Sequence, residues 1–381
     1  MQNFAKGLAV TQLIPKKRLN ELIKKWQVDK GVTKLSTEKL LDILIRGFIF
    51  QKQTLRDITD SYGVPKSTID DALRKRSYGF FEELCSVAIK ELVALVNERK
   101  LRQEMRELIA IDSSVCLVHG SMAERFISTK IDRKVAGIKF HAAWNSTCEW
   151  IEDFRVTGYR RHDGSVGKEF SFSRGKTYVF DRAYIDLSLW LQVQKAEAHF
   201  VTRLKKIGSR LKFVHAYSGI DSESVGILYD GRWTPSQEAC RRAKIEAKTV
   251  FFRHIIYRDP VSKKLFDFIT SDFECPAIEV ANMYRRRWSV ELLFRWLKGH
   301  FNVRRISFKN LNAIKIQIAL AVFVQLLLKY QMLKDNFVGS SWDYLRSVRN
   351  TLDRLFFKIL TESANETGSM SNVLPALRLE P

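Results

Sequence analysis

Cysteine, targeting signals and long apolar runs are scarce in this 381-residue chain. Its five cysteines lie far apart and never form a Cys-x-x-Cys pair, which argues against a disulfide framework and a zinc site. The first twenty residues hold no apolar segment of signal-peptide length. Polar side chains interrupt the strongest apolar stretch, 314–328, which falls short of the roughly 20 residues of a membrane span. We therefore expect a cytoplasmic protein in a reducing compartment, without a membrane partner.

Acidic residues are also in deficit, since 42 Asp and Glu stand against 64 Lys and Arg, a formal charge of +22. This charge favours a polyanionic partner, because each cation placed on a phosphate releases condensed counterions and so adds affinity. The excess is +7 for 1–100, +2 for 101–200, +8 for 201–300 and +5 for the remainder. Nucleic acid is the favoured partner, and the acids of the near-neutral second segment are expected to serve another purpose.

The sequence pattern divides the chain into five segments. Apolar residues recur at helical spacing up to residue 104, and from residue 105 apolar strands mix with helices, as in an α/β layer fold with a mixed sheet. The predicted segments are a helical DNA-binding domain over 1–104, an α/β core over 105–206, a basic β-rich insertion over 207–265, the second part of the core over 266–335, and a C-terminal helix with a polar tail over 336–381. We expect continuous helices over about 276–298 and 312–333, and a loose tail over 361–381.

Residues 54–76 predict a helix-turn-helix within the first segment. Leu55 and Ile58 would face inward on the first helix, Gly63 fits a positive φ in the turn, and Pro65 opens the second helix. That helix would present several polar side chains to a major groove. They are Lys66, Ser67, Asp70, Arg74 and Lys75. The alternative is a helical hairpin with a solvated basic end, which the two acids, Asp70 and Asp71, favour.

Two predicted strands end in an acid. Asp112 follows the apolar run 107–111, and Asp181 follows 176–180. A strand that ends in Asp places a carboxylate at the rim of a sheet, where open α/β sheets bind their ligands. A single Asp of this kind is more often a cap or turn residue than a catalyst. Two of them in neighbouring strands favour a site only modestly.

The segment 283–300 combines one acid with many cations and a phenol. Tyr284, Arg287, Glu291 and Lys298 would lie within roughly 60° of one another on one helix. A solvated face with an Arg287–Glu291 pair, worth a few tenths of a kcal/mol, is the alternative. A phosphodiester site also needs this combination, because a carboxylate can hold a metal while cations and a phenol hold phosphate oxygens.

The spacing Tyr284-x2-Arg287-x3-Glu291-x6-Lys298, preceded by Asp112 and Asp181, resembles the DDE transposases of bacterial insertion sequences. Within them it is similar to the group with a Tyr-Arg-Glu-Lys signature, insertion sequence family four, over roughly 105–335. Ala183 stands where that group often has Gly. The resemblance implies an RNase H-like core interrupted by the β-rich insertion, beside an all-α N-terminal domain.

The resemblance also implies the chemistry. Asp112, Asp181 and Glu291 would hold two divalent cations about 3.5–4 Å apart, Mg²⁺ with Mn²⁺ as a substitute. Tyr284, Arg287 and Lys298 would bind phosphates of the element's terminal DNA. Water would cleave the 3′ ends, and the freed 3′-OH would attack target DNA, with a hairpin intermediate in relatives.

The expected partners are the terminal inverted repeats and target DNA, bound by a homodimer at the nucleoid, with no small-molecule cofactor. Two alternatives stay open, a site-specific DNA-binding protein with structural acids and an RNase H-like nuclease without strand transfer. Lys139 and His141 lie on a strand beside the expected site, although a strand His is more often a bonded core residue. Trp233 could stack on an extruded base, although packing within the insertion is the simpler interpretation.

Overall fold

The computed structural model describes residues 9–52, 54–99, 106–118, 137–204, 212–216, 226–245, 250–301, 305–306 and 310–367. Its chain contacts form two compact units. One comprises Met1–Gln103, Cys116–Gly137 and Arg295–Pro381, and the other comprises Glu104–Val115 and Ile138–Phe294. The first unit thus contains segments from the beginning and from the end of the sequence. The division into five segments, which assigns these to separate domains, stays a prediction.

The described helices are α1 (Lys16–Trp26), α2 (Thr37–Ile49), α3 (Leu55–Tyr62), α4 (Lys66–Lys75), α5 (Tyr78–Glu98), α6 (Asp163–Gly167), α7 (Leu187–Lys195), α8 (Gln237–Ala243), α9 (Ala277–Arg286), α10 (Trp288–His300), α11 (Leu311–Lys334) and α12 (Ser341–Thr367). The described strands are β1 (Leu108–Val118), β2 (Gly137–Asn145), β3 (Trp150–Gly158), β4 (Thr177–Phe180), β5 (His199–Arg203), β6 (Lys212–Ala216), β7 (Ile227–Thr234), β8 (Phe252–Arg258), β9 (Leu265–Thr270) and β10 (Arg305–Ile306).

Helix α11 forms the core of the first of these units, which we call the helical unit. Seventeen of its 24 residues are buried, so it is apolar all round, as a helix surrounded by protein must be. Within the described ranges it alone is long and apolar enough to cross a membrane, but 78% of its most apolar window is buried inside the protein. It packs chiefly against α5.

The side chain of Asn312, at the start of α11, joins that helix to the connection between α4 and α5. Its amide donates to the carbonyl oxygens of Leu73 at 2.8 Å and Arg76 at 2.7 Å, and its side-chain oxygen accepts the backbone N–H of Tyr78 at 3.1 Å. These groups lie where two helices meet and have no partner within a helix. Asn312 therefore fixes the end of the second helix-turn-helix helix.

The predicted helix-turn-helix elements are present as α3 and α4. Thr54 and Asp57 form a capping box at the start of α3, and Gly63 adopts φ 67° in the turn. Ile58, Ile69 and Leu73 are buried. The local signals at the turn and the caps account for both helices.

The second unit is built on a mixed sheet with the strand order β3-β2-β1-β4-β5-β9-β8-β7-β6. Strands β1, β4 and β5 are parallel, and β9, β8, β7 and β6 continue the sheet in antiparallel pairs. The mixed α/β sheet is confirmed. The strands expected in the 207–265 segment are extensions of this sheet.

Alternate residues of the central strands pack on opposite faces of that sheet. On one face, Phe180 and Phe200 pack with Trp190 of α7. On the other, Val179 and Val201 join a cluster that contains residues of α9. Helices therefore cover both faces of the central strands, so a functional site is expected at the ends of these strands.

Three expectations about element boundaries were wrong. Strand β1 continues to Val118, so Asp112 lies within it and not at its end. The helix predicted over 276–298 is two helices, because the backbone tightens at Arg287 into bonds from Arg287 N–H to Tyr284 and from Val290 N–H to Arg287. Helix α12 extends to Thr367, so 361–367 is helical and not a loose tail, while 368–381 lie outside the described residues.

Candidate active site

The strand register places three charged residues side by side. Ile111 of β1 pairs with Phe180 of β4, which pairs in turn with Thr202 of β5. The next residues along the three parallel strands are Asp112, Asp181 and Arg203. They form one row at the carboxyl ends of β4 and β5, the edge at which parallel sheets bind their ligands.

The guanidinium of Arg287 bridges two of the predicted acids. It donates to Asp112 Oδ2 at 2.7 Å and to Glu291 Oε1 at 2.6 Å. The side chain of Arg287 is 13% exposed, those of Asp112 and Glu291 15% and 32%. The break between α9 and α10 falls at this arginine. The structure thus brings Asp112 and Glu291 to one cation across 179 positions of sequence.

Asp112 has an unusually basic carboxylate. Burial raises its pKa to about 6, and the nearby charges of Asp181 and Glu291 act in the same direction. The backbone N–H of Ser113, at 2.7 Å from Oδ1, and the charge of Arg287 oppose this rise. A carboxylate whose pKa stays raised beside an arginine has room for more positive charge.

Tyr284 lies in the same unit, on α9. Its ring packs on Phe268 with centroids 5.1 Å apart, and burial raises the pKa of its phenol. Arg287 lies over the same ring at 5.7 Å. Asp181 joins this group through its charge interactions with Asp112 and Tyr284. The structure therefore brings together five of the six predicted catalytic and phosphate-binding residues, all except Lys298.

The other predicted site residues belong to the helical unit. Lys298 is on α10, in the part of that helix that falls within this unit. The four predicted DNA-binding residues of α4 are all exposed, and Arg74 pairs with Asp70 at 2.9 Å. They are Lys66, Ser67, Arg74 and Lys75. Lys75 pairs with Asp71 at 3.3 Å.

The acids of the site have the donor chemistry of a divalent metal site. Carboxylate oxygens are the ligands that Mg²⁺ and Mn²⁺ prefer, and burial raises the pKa of Asp112, so a further positive charge would favour its ionised form. Among the residues that the structure describes, no three His, Cys, Asp or Glu side chains converge closely enough to surround an ion. The positive charge between Asp112 and Glu291 is that of Arg287.

A buried polar network lies behind the two aspartates. His141 bonds to the hydroxyls of Thr157 at 2.9 Å and Tyr184 at 3.4 Å, and burial lowers its pKa to about 4. Asp163 accepts from Ser113 Oγ at 3.1 Å and from Lys139 at 3.2 Å. His141 is thus the hydrogen-bonded core residue of the simpler interpretation, and Lys139 bonds within this network.

Trp233 is a core residue. Its side chain is buried, and its ring lies 5.9 Å from Phe252 and 6.3 Å from Trp190. This burial agrees with the simpler interpretation of Trp233 as a packing residue. An aromatic in a β-rich segment is generic enough to fit either role.

Sequence reasoning missed Arg203. The signal was present, because Arg203 ends an apolar strand in the same way as Asp181 does. That rule was applied to acids only, and the lateral alignment with Asp181 depends on strand register.

Comparisons with known proteins give a family for the chain. A family model described as the transposase DDE domain matches residues 103–327. The chain is 23% identical over 260 residues to the protein y4zB of Sinorhizobium fredii, whose name describes a transposase, covering 68% of this chain and 69% of that protein. It is 26% identical over 280 residues to the probable transposase for insertion sequence element IS5377 of Geobacillus stearothermophilus, covering 72% and 70%.

A third relative, from Synechocystis sp., is named as a transposase for insertion sequence element IS4SA and is 24% identical over 307 residues, or 78% of this chain and 80% of the relative. A cryo-EM structure of the piggyBac transposase synaptic complex with hairpin DNA aligns with a TM-score of 0.48 and 11% identity, over 89% and 78% of the two chains. The family model spans more than half of the sequence, and the chain belongs to the DDE transposase family.

Proposed function

We propose that this DDE transposase binds the terminal inverted repeats of an insertion sequence, cleaves DNA at their 3′ ends and transfers the freed ends to target DNA. The observation that carries the proposal is the pairing of Asp112 and Glu291 through Arg287, with Asp181 beside Asp112 in the strand register. Parallel β1, β4 and β5 beside the β2–β3 hairpin support an RNase H-like core.

Each predicted residue has a role in this reaction. Asp112, Asp181 and Glu291 would hold two divalent cations, Mg²⁺ or Mn²⁺, which when bound activate water and stabilise charge on the scissile phosphate. Arg287 has the planar fork of donors that suits both carboxylates and phosphates. The phenol of Tyr284 would donate to a phosphate oxygen, since a tyrosine is protonated at neutral pH and burial raises the pKa of this one further.

The remaining parts of the proposal concern DNA recognition and assembly. The exposed cations of α4 read or hold the terminal repeat, and Lys298 binds a phosphate. Two ends must be joined in one reaction, so the active form on DNA is a homodimer. Its place of action is the bacterial cytoplasm, at the nucleoid.

The test of the catalytic assignment is Mg²⁺-dependent nicking of a duplex that carries the element's terminal repeats. Glu291→Gln should bind this duplex with unchanged affinity and lose nicking. Glu197→Gln is the matched control, since Glu197 is 66% exposed and pairs with the exposed Arg174. Nicking by Glu291→Gln at the wild-type rate would refute the site.

Two further measurements separate the alternatives. A DNA-binding protein with structural acids would bind the duplex and never nick it. A nuclease without strand transfer would nick it, but would not join pre-cleaved ends to target DNA in the presence of Mg²⁺. The proposal requires both nicking and joining.

The helix-turn-helix assignment has its own test. Arg74→Ala should lower affinity for the terminal-repeat duplex and leave the cleavage rate of bound complexes unchanged. Arg18→Ala is the control, because Arg18 has a similar exposure and a similar one-turn partner, Glu21, on α1. Unchanged affinity in Arg74→Ala would remove Arg74 from the DNA interface.

A further inference from the structure

Arg203 occupies a special place beside Asp181. It is the last residue of β5, and the register aligns it with Asp181 on one side of that aspartate, while Asp112 lies on the other. Arg287 bonds to Asp112 on that opposite side. Arg203 is therefore a cation on the β5 side of Asp181 to which the proposed mechanism assigns no role.

The guanidinium of Arg203 lacks a carboxylate partner among the described residues. Its Nε is buried and has no hydrogen-bond acceptor, and it forms no ion pair in this part of the chain. Its contact is with an aromatic ring, since it lies over Phe266 at 4.4 Å. Burial lowers its pKa, the charge of Arg182 does so further, and Tyr284, Asp267 and Asp181 oppose this.

This arrangement costs free energy in the isolated protein. A partly desolvated cation destabilises the folded state unless an anion is paired with it, and a neighbouring like charge destabilises it further. Natural proteins break the pairing rule chiefly at functional sites. We therefore expect an anion from outside the chain to pair with Arg203.

A cavity opens beside this arginine. It has a volume of about 630 Å³ and is lined by Asp181, by aromatic rings including that of Tyr284, and by four arginines. These are Arg182, Arg203, Arg285 and Arg287. Arg287 is paired with Asp112 and Glu291, and Arg285 lies 3.8 Å from Asp259. Arg182 and Arg203, the two arginines next to Asp181, form no ion pair with a carboxylate within the described ranges.

We propose that Arg203, together with Arg182, binds a backbone phosphate of DNA on the β5 side of Asp181. This is a second phosphate contact, separate from that of Arg287 on the β1 side. The fork of Arg203 suits a phosphate, and Phe266 holds its plane in one orientation. The inference rests on the proposed function, because it assumes that the polyanion at this edge is DNA.

The experiment compares the salt dependence of DNA binding among matched variants. Arg203→Met keeps an unbranched apolar side chain against Phe266 and removes the charge, and Arg203→Lys keeps the charge. Arg174→Met is the control, because Arg174 is 81% exposed and lies outside the cavity lining. Binding of a duplex that ends in a pre-cleaved terminal repeat is measured from 0.05 to 0.3 M NaCl.

For Arg203→Met, the slope of log affinity against log salt should fall in magnitude by about one, with affinity about tenfold lower at 0.1 M salt. Arg203→Lys should restore the slope, and Arg174→Met should keep it. An unchanged slope in Arg203→Met overturns the inference, whether or not its melting temperature falls.

If Arg203→Met does not fold, Arg203→Lys and Arg182→Gln decide. The inference requires a wild-type slope in the first and a smaller slope in the second, and any other pair of results overturns it. Failure of the proposed function has a different signature, since the wild-type chain itself would then neither bind nor nick the duplex.

Discussion

Replacing Asp112 by Asn should make the metal-free protein more stable at neutral pH. The pKa of Asp112 rises from 3.8 to about 6, mainly because the carboxyl is buried. Each tenfold change in the acid dissociation constant corresponds to about 1.4 kcal/mol, so the ionised carboxylate costs about 3 kcal/mol of folding free energy. Little of this is lost to solvent screening, because the side chain is only 15% exposed.

The sign of the effect sets its pH window. The folded state holds the Asp112 proton more tightly than the unfolded state, so this group's contribution is full below about pH 4 and is lost as the pH rises through about 6. Asn resembles the protonated form and does not titrate. Asp112→Asn should therefore match the wild type at pH 4 and exceed its free energy of unfolding by about 3 kcal/mol at pH 7.

The assay is urea unfolding of the full chain in EDTA, followed by tryptophan fluorescence at several values of pH. Glu197→Gln, an exposed change, should show no such pH-dependent gain. Millimolar Mg²⁺ should then stabilise the wild type and not Asp112→Asn, because a bound ion favours the folded state through the ligands it contacts. An Asp112→Asn variant less stable than the wild type at pH 7 would refute the reasoning.

Three other substitutions test the packing of each unit. Trp233→Ala should lower the free energy of unfolding by about 3–5 kcal/mol and leave the nicking rate per folded molecule unchanged, since the ring is buried; slower nicking would return Trp233 to the site. Asn312→Ala should cost about 2–3 kcal/mol in urea unfolding, because backbone groups at the α4–α5 connection lose their partner, and a neutral result would contradict that role. Lys176→Met should lower the free energy of unfolding by about 3–5 kcal/mol at pH 7, because Glu107 and Glu152 lose a shared partner at 2.7 Å. This loss should shrink below pH 4 as the two carboxylates gain protons, and a loss that does not depend on pH would contradict the assignment.

Local signals predicted a good part of the fold. Gly63 and Pro65 marked the turn between α3 and α4, because positive φ and a helix start each demand few residue types. Apolar runs located β1 and β4, and the spacing from Tyr284 to Lys298 indicated the family. These features depend on neighbours within a few turns of chain.

Features set by long-range pairing could not be predicted in this way. The break at Arg287 accompanies its bond to Asp112, 175 positions away. The place of Arg203 beside Asp181 follows from strand register, which the sequence of one strand does not specify. The helical character of 361–367 was missed because a polar composition was taken for a loose tail.

The hydrogen bonds of Asn312 also bear on the order of events during synthesis. They join positions 234 to 239 residues apart, and the α11 surface that covers α5 is made equally late. At roughly 5–20 residues per second, a ribosome needs about 10–50 seconds to travel that distance. Until then the helix-turn-helix lacks the helix that fixes its end, so a nascent or truncated chain carries an incomplete α4–α5 connection. The proposed recognition of DNA by this unit therefore requires that the second unit, which is encoded in between, has already been synthesised.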